Sequence, residues 1–277
     1  MSKGFLLLAR NKPNINYVEQ AYALALSIKA TQKNNSVSLI TDDQVPDHYR
    51  LVFDNIIPIP DAEEKSKSVF AAEHRWKFYH LSPYEETIVL DSDMLMLDDI
   101  STWWDYCSNF DLAFCSKVTT YKHETVVDKV HRNAFIANGL SNPYFALHYF
   151  KKRDLPLEFY NMLELVIRNW DEVCNKFAPL KKQPMPSMDL ASAIAIKMLG
   201  IEEEVFNNCS PLEFVHMKPA IQNWPGNIVS WQNAVQSNFT SNGELLVGNI
   251  RQHKLFHYVE KDFITPAIIQ KLEKLNG

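Results

Sequence analysis

Two acidic side chains, Asp91 and Asp93, stand one residue apart where an apolar run ends, in Ile88-Val89-Leu90-Asp91-Ser92-Asp93-Met94-Leu95-Met96-Leu97. In extended backbone residues i and i+2 face the same way, so the two carboxylates are expected to project together and Ser92 to point opposite. Converging carboxylates repel unless a cation lies between them. Oxygen ligands suit a hard ion such as Mg²⁺ or Mn²⁺, and no soft ligand is offered at either position. An ion held there can bridge diphosphate oxygens and take up the charge of a departing nucleoside diphosphate. Asp-x-Asp is also common in solvated turns. The apolar segments on both sides of this one favour the metal.

The elements before the pair alternate. Gly4 to Ala9 reads as a buried strand. Asn16 with Glu19 three residues on has the form of a capping box, and Val18, Ala21, Tyr22, Ala25 and Ile28 follow at helical spacing. Ser36–Thr41 is the next strand, Pro46–Phe53 a short helix, Asn55–Ile59 a strand, Ser68–Leu81 a helix, and Thr87–Leu90 the strand that delivers Asp91. This rhythm predicts an α/β fold with a mainly parallel central sheet, which binds ligands outside the carboxyl ends of its strands. The second half is less regular. Phe110–Cys115, Tyr144–Phe150, Glu213–His216 and Lys254–Tyr258 are expected strands. Leu157–Trp170 and Asp189–Leu199 are expected helices, the second closed by Gly200, and a last helix starts at Thr265-Pro266.

The segment from Tyr84 through Asp91-Ser92-Asp93 to Asp98-Asp99-Ile100 resembles the DxD block of glycosyltransferase family 8, and the opening strand with Tyr17 and Gln20–Ser27 resembles that family's first βα unit. The resemblance covers residues 4 to 105 well and the remainder loosely. It implies a GT-A fold with a Rossmann-like nucleotide-binding half (about 1–105), a mixed acceptor-side half (about 106–262) and a C-terminal helix (263–277), in one domain. It also implies transfer of a sugar from a nucleotide-sugar, UDP-linked by analogy, with retention of anomeric configuration.

By the same resemblance Ala9, Tyr17 and Ser92 contact the donor. Lys77 stands where the family carries a lysine before the DxD strand. Asp93 binds the ion most directly, and Asp91 contacts ion and ribose. The family adds a histidine to the metal and a later lysine to the diphosphate; His257 with Lys261 and His216 with Lys218 are the candidates, and chain position favours the first pair. The family's glycine between that histidine and lysine is missing here. Asp189 stands where the family has a carboxylate facing donor sugar and acceptor, although at a helix start it can equally accept backbone N–H bonds. The family's Asn-x-Gly has no clean counterpart, which leaves the sugar open.

The chain's 277 residues are 46% hydrophobic with a net charge of −5 and a pI of about 6.0. That supplies no global basic footprint for nucleic acid or anionic membrane. The apolar run Phe5–Ala9 is too short for a signal-peptide core and no stretch approaches a bilayer span, so a cytoplasmic location is expected. Four scattered cysteines with no CxxC pair argue against a thiolate metal site and a disulfide framework. A haloacid-dehalogenase phosphohydrolase also places Asp-x-Asp after an apolar strand, with the first Asp as nucleophile. Its motif usually lies nearer the start of the core. A sugar-nucleotidyltransferase needs a Gly-rich loop after its first strand, and Arg10–Ile15 contains none. A non-catalytic nucleotide-sugar-binding protein is a further alternative. The acceptor can be a glycan, a protein, a small molecule or a modified base.

Overall fold

A computed structural model describes residues 2–34, 36–60, 72–126, 132–207, 209–221 and 230–277. Its central sheet has six strands in the order β3-β2-β1-β4-β8-β6. These are β1 Lys3–Leu8, β2 Val37–Ile40, β3 Asn55–Ile57, β4 Glu86–Asp91, β6 Leu112–Cys115 and β8 Tyr144–Lys151. The first four run parallel. β8 runs antiparallel between β4 and β6. The register aligns Leu8 with Ile40 on one side and with Asp91 on the other, so β1, β2 and β4 finish together.

The apolar runs of β1 and β4 are continuous because both faces of this sheet are covered. Phe5, Leu7, Ile88 and Leu90 enter one core with helix α1 (Tyr17–Thr31), and Leu6, Leu8 and Val89 enter the other. The second core lies under the mutually packed helices α2 (Asp154–Arg168) and α3 (Met188–Leu199). Gly200 closes α3 at φ +69°, the left-handed conformation in which glycine avoids a Cβ clash. Helix α4 (Pro266–Leu275) starts as expected, with Thr265 accepting from Ile268 N and Pro266 in the first turn.

After β4 the chain leaves the central sheet. β5 (Met94–Met96) joins a second sheet, β5-β13-β9-β7, with β7 Lys117–Thr119, β9 Glu213–His216 and β13 Leu255–His257. β13 pairs antiparallel with β5 and parallel with β9. Helix α1 anchors β5, since Ser27 Oγ accepts from Met96 N at 2.8 Å. A small antiparallel meander of β10 (Ser237–Phe239), β11 (Leu245–Val247) and β12 (Ile250–Arg251) completes the strands among the described residues. None of the described helices is long and apolar enough to cross a membrane.

Two expectations need correction. The helix expected over Ser68–Leu81 is two short pieces, Ala72–Arg75 and Phe78–Leu81, separated at Trp76-Lys77; its first residues, 68–71, lie outside the described set. The carboxylates do not meet through strand alternation either. β4 ends at Asp91, and Ser92-Asp93 form the bend that carries the chain from one sheet to the other.

Candidate metal and donor site

The bend is held from a distant part of the chain. His257 lies opposite Met94 in the β5–β13 pairing, and Tyr258 N donates to Asp93 O at 3.2 Å. His257 Nε2 thereby comes to 3.2 Å from Asp93 Oδ1. Asp91, Asp93 and His257 each offer a donor atom, all within 4.8 Å of one another. His216 is the register partner of His257 on β9, its ring centroid 5.3 Å from that of His257, but it is not part of this donor group. Burial, then the neighbouring His257, holds the His216 imidazole well below its usual pKa.

Cationic side chains converge on both carboxylates. Lys261 pairs with Asp93 Oδ2, and Arg75 donates to Asp91 Oδ1 at 2.5 Å. Burial by itself pushes the Asp93 carboxyl up, but His257 and Lys261 outweigh it and hold the group well below the carboxylate range. The Lys261 ammonium is pushed down by burial and more strongly up by Asp93. Arg75 is opposed by burial and favoured by Asp91, Asp93 and Asp189 in turn. Two carboxylate oxygens and an imidazole nitrogen that attract this much positive charge form a fitting donor set for a divalent cation.

The remaining residues singled out in the sequence fall into two groups. Tyr17 belongs to the site, with the Lys261 ammonium 5.0 Å from its ring centroid. Ala9 is buried where β1 ends, its N–H donating to Ile40 O. Ser92 is buried in the bend between the two aspartates. Lys218 opens the short helix Lys218–Ile221 directly after β9, and Met217 N donates to His257 O at 3.1 Å. Lys77 is half-buried, its ammonium donating to Pro60 O at 2.6 Å.

Asp189 is not the cap of α3, because Ser187 fills that position and accepts from Leu190 N. Its carboxylate takes Phe145 N at 2.8 Å and Arg132 Nη2 at 2.6 Å. Asp189 thus ties α3 to the start of β8 and contributes to the field at Arg75. The Arg132 guanidinium lies 3.8 Å above the Tyr144 ring.

Sequence reasoning missed Arg75. Its type was the available signal, a second basic residue two positions before Lys77. A continuous helix offered no reason to prefer it, whereas in the structure the helix breaks at Trp76-Lys77, with Arg75 on Asp91 and Lys77 on Pro60 O.

No protein-family model matches the chain, and no curated protein matches it either. Solved structures do match over its length. A galactosyltransferase, LgtC, in complex with donor and acceptor sugar analogues is similar with a TM-score of 0.55 at 11% identity, over 98% of this chain and 95% of that one. Mouse xyloside xylosyltransferase 1 gives 0.55 at 12% identity, over 95% and 99%. The bifunctional glycosyltransferase WbbM gives 0.52 at 11% identity, over 99% of this chain and 51% of WbbM. The fold is the α/β GT-A fold.

Proposed function

We propose that this chain is a metal-dependent glycosyltransferase that moves a sugar from a nucleotide-sugar to a hydroxyl acceptor. The observation that carries the reading is the Asp91–Asp93–His257 donor group at the carboxyl end of β4, in a fold shared with solved glycosyltransferases. The GT-A fold removes the structural basis for the haloacid-dehalogenase alternative. A UDP-linked donor and retention of configuration follow from the resemblance in the DxD block. A glycan is the favoured acceptor, because LgtC was solved with donor and acceptor sugar analogues.

Asp91, Asp93 and His257 would hold the cation, and the mixed oxygen and nitrogen set favours Mn²⁺ over Mg²⁺. When bound, such an ion supplies Lewis-acid stabilisation of the leaving diphosphate. The chain's own residues do the rest. Lys261 is aimed at the same carboxylate and lies where it can pass to a phosphate oxygen. Tyr17 presents a ring beside it, and Ala9 and Ser92 line the strand ends where a nucleoside would lie. Arg75, between Asp91 and Asp189, orients the donor sugar. Asp189 fixes β8 against α3 and so shapes the acceptor side. Lys77 serves the rim rather than the reaction. The nucleotide half and the acceptor half work as one unit.

A screen of nucleotide-sugars for Mn²⁺-dependent rise in melting temperature tests this, since a ligand at a hundred times its Kd adds ~2.7 kcal/mol to the native state. A hit should be followed by transfer or donor hydrolysis that Asp93→Ala abolishes while the fold is retained. Binding without turnover across all acceptors would favour the non-catalytic alternative. No stabilisation by any donor would end the proposal. NMR of the product anomer decides retention.

A further inference from the structure

We propose that Gln20 is a positioning residue for Lys261: its side-chain amide fixes the backbone of that lysine and so aims the ammonium at the donor diphosphate. This rests on the glycosyltransferase reading, in which Lys261 meets the phosphates.

Gln20 closes the first turn of α1, its N–H donating to Asn16 O at 3.3 Å, and the residue is 3% exposed. Its helix neighbours Val18, Ala21, Ala23 and Leu24 are buried and apolar. An amide in such surroundings costs free energy at each polar atom that finds no partner. The carbonyl oxygen Oε1 is buried and finds none. The nitrogen Nε2 donates to Lys261 O at 3.4 Å, across 241 residues of sequence. A leucine would fill the same place without an unpaired oxygen, so burial alone gives no reason for glutamine. The bond to Lys261 is what sets the amide apart from an apolar side chain.

That bond acts on a turn under strain. Tyr17 lies three residues before Gln20, hence on the same face of α1, and its ring centroid is 5.0 Å from the Lys261 ammonium. One helix face therefore meets Lys261 twice, with the ring at its charged end and the amide at its carbonyl. Asp93 takes the ammonium itself. Just before Lys261 the chain passes through Val259 at φ +62°, a conformation that persists only where the surroundings over-determine it. Tyr258 N on Asp93 O secures the front of the turn. Trp231 Nε1 on Asp262 Oδ1, at 2.7 Å, and Gln232 on the other oxygen secure the residue after Lys261. Between these two anchors Gln20 ties the lysine's own backbone to α1. Removing the amide leaves both anchors in place, so the turn persists while the ammonium loses its direction.

A double-mutant cycle read by calorimetric titration with Mn²⁺ present tests the assignment. UDP, GDP, CDP and ADP are tried on the wild-type chain. The tightest is carried to Gln20→Leu, Lys261→Met and the double variant, up to millimolar ligand. Gln20→Leu should bind it about fivefold more weakly, the scale of one hydrogen bond. The double variant should match Lys261→Met within about twofold, because the amide acts through the ammonium. The ligand-free melting temperature of Gln20→Leu should rise or stay within about 2 °C of wild type, since an unpaired oxygen leaves with the bond. A larger fall would make the amide a support of the fold and overturn the proposal. Unchanged affinity in Gln20→Leu, or the same loss with and without Lys261, would overturn it too. Wild-type binding that Lys261→Met leaves intact would remove the lysine's role and this inference with it, and spare the metal site. A wild-type chain that binds none of the four diphosphates would instead remove the glycosyltransferase reading itself.

Discussion

His257 and Asp93 meet because β13 pairs with β5, bringing an imidazole nitrogen to 3.2 Å from a carboxylate oxygen. His216 occupies the same register one strand further on. His257→Ala should therefore weaken Mn²⁺ binding by at least about tenfold, whereas His216→Ala should leave it within about threefold. Manganese titration followed by electron paramagnetic resonance separates them. Equal losses in both variants would mean that the imidazoles act together.

Arg75 and Lys77 make opposite demands on the same short segment. Arg75→Met removes the partner of Asp91 and should lower donor-dependent turnover by about a hundredfold, since a misdirected carboxylate and a lost sugar contact compound. Lys77→Met should change it less than about threefold, as expected for a group on the rim. Steady-state kinetics with the donor from the thermal screen reads both. A larger effect at Lys77 would restore the alignment expected from the DxD resemblance.

His148 supplies an acid-sensitive element behind the site, opposite Val89 on the strand paired with β4 and within electrostatic reach of Arg75 and Asp91. It is fully buried, with Nδ1 donating to Phe145 O at 2.9 Å and Nε2 accepting from Tyr160 Oη at 2.7 Å. Burial pushes its pKa down to about 3. The unfolded chain takes up this proton below about pH 6.5 and the folded chain does not. The stabilisation is therefore complete above pH 6.5 and declines as pH falls from there toward 3, by roughly 1 kcal/mol per pH unit. Urea unfolding at several pH values should show this slope, and His148→Phe should flatten it, whatever that variant loses at neutral pH from the unpaired Tyr160 hydroxyl.

Val259 carries strain between His257 and Lys261, the two residues that meet Asp93. Its φ is +62°, and a three-residue turn closes over it with Glu260 N donating to Tyr258 O at 2.7 Å. A β-branched residue is disfavoured there by about 1–2 kcal/mol. Val259→Gly relieves that and gives back up to about 1 kcal/mol as backbone entropy. Stability should hold or rise slightly by thermal melting, unlike the loss normal for Val→Gly. Val259→Pro, which requires negative φ, should weaken nucleoside diphosphate binding by displacing Lys261.

Much of the first half of the fold was legible in the sequence. β1, β2 and β4 are apolar runs buried on both faces, so burial itself writes them into the residue types, and Asp91 marks where β4 meets solvent. The Asn16 cap and the ends of α3 and α4 are local chemistry and could be read in the same way. Longer-range relations could not. Residue spacing does not say that Ser92 lies in a bend between two sheets, or that β13 pairs with β5. Asp189 illustrates the limit: its helix-start position suggested a cap, but Ser187 takes that role and frees the carboxylate for Phe145 and Arg132. The β10–β12 meander escaped notice because strands of two or three residues leave no readable alternation.

The pairing of β5 with β13 has a consequence for synthesis. Lys261 and Asp93 are 168 residues apart, and the strand bearing His257 emerges from the ribosome after all six strands of the central sheet. A nascent chain therefore presents all six strands of its central sheet before the imidazole and ammonium that meet Asp93 have been made. A chain cut short before Leu255 would lack both side chains that meet Asp93, together with Phe256, Tyr258, Phe263, Ile269 and Leu272 of the first core.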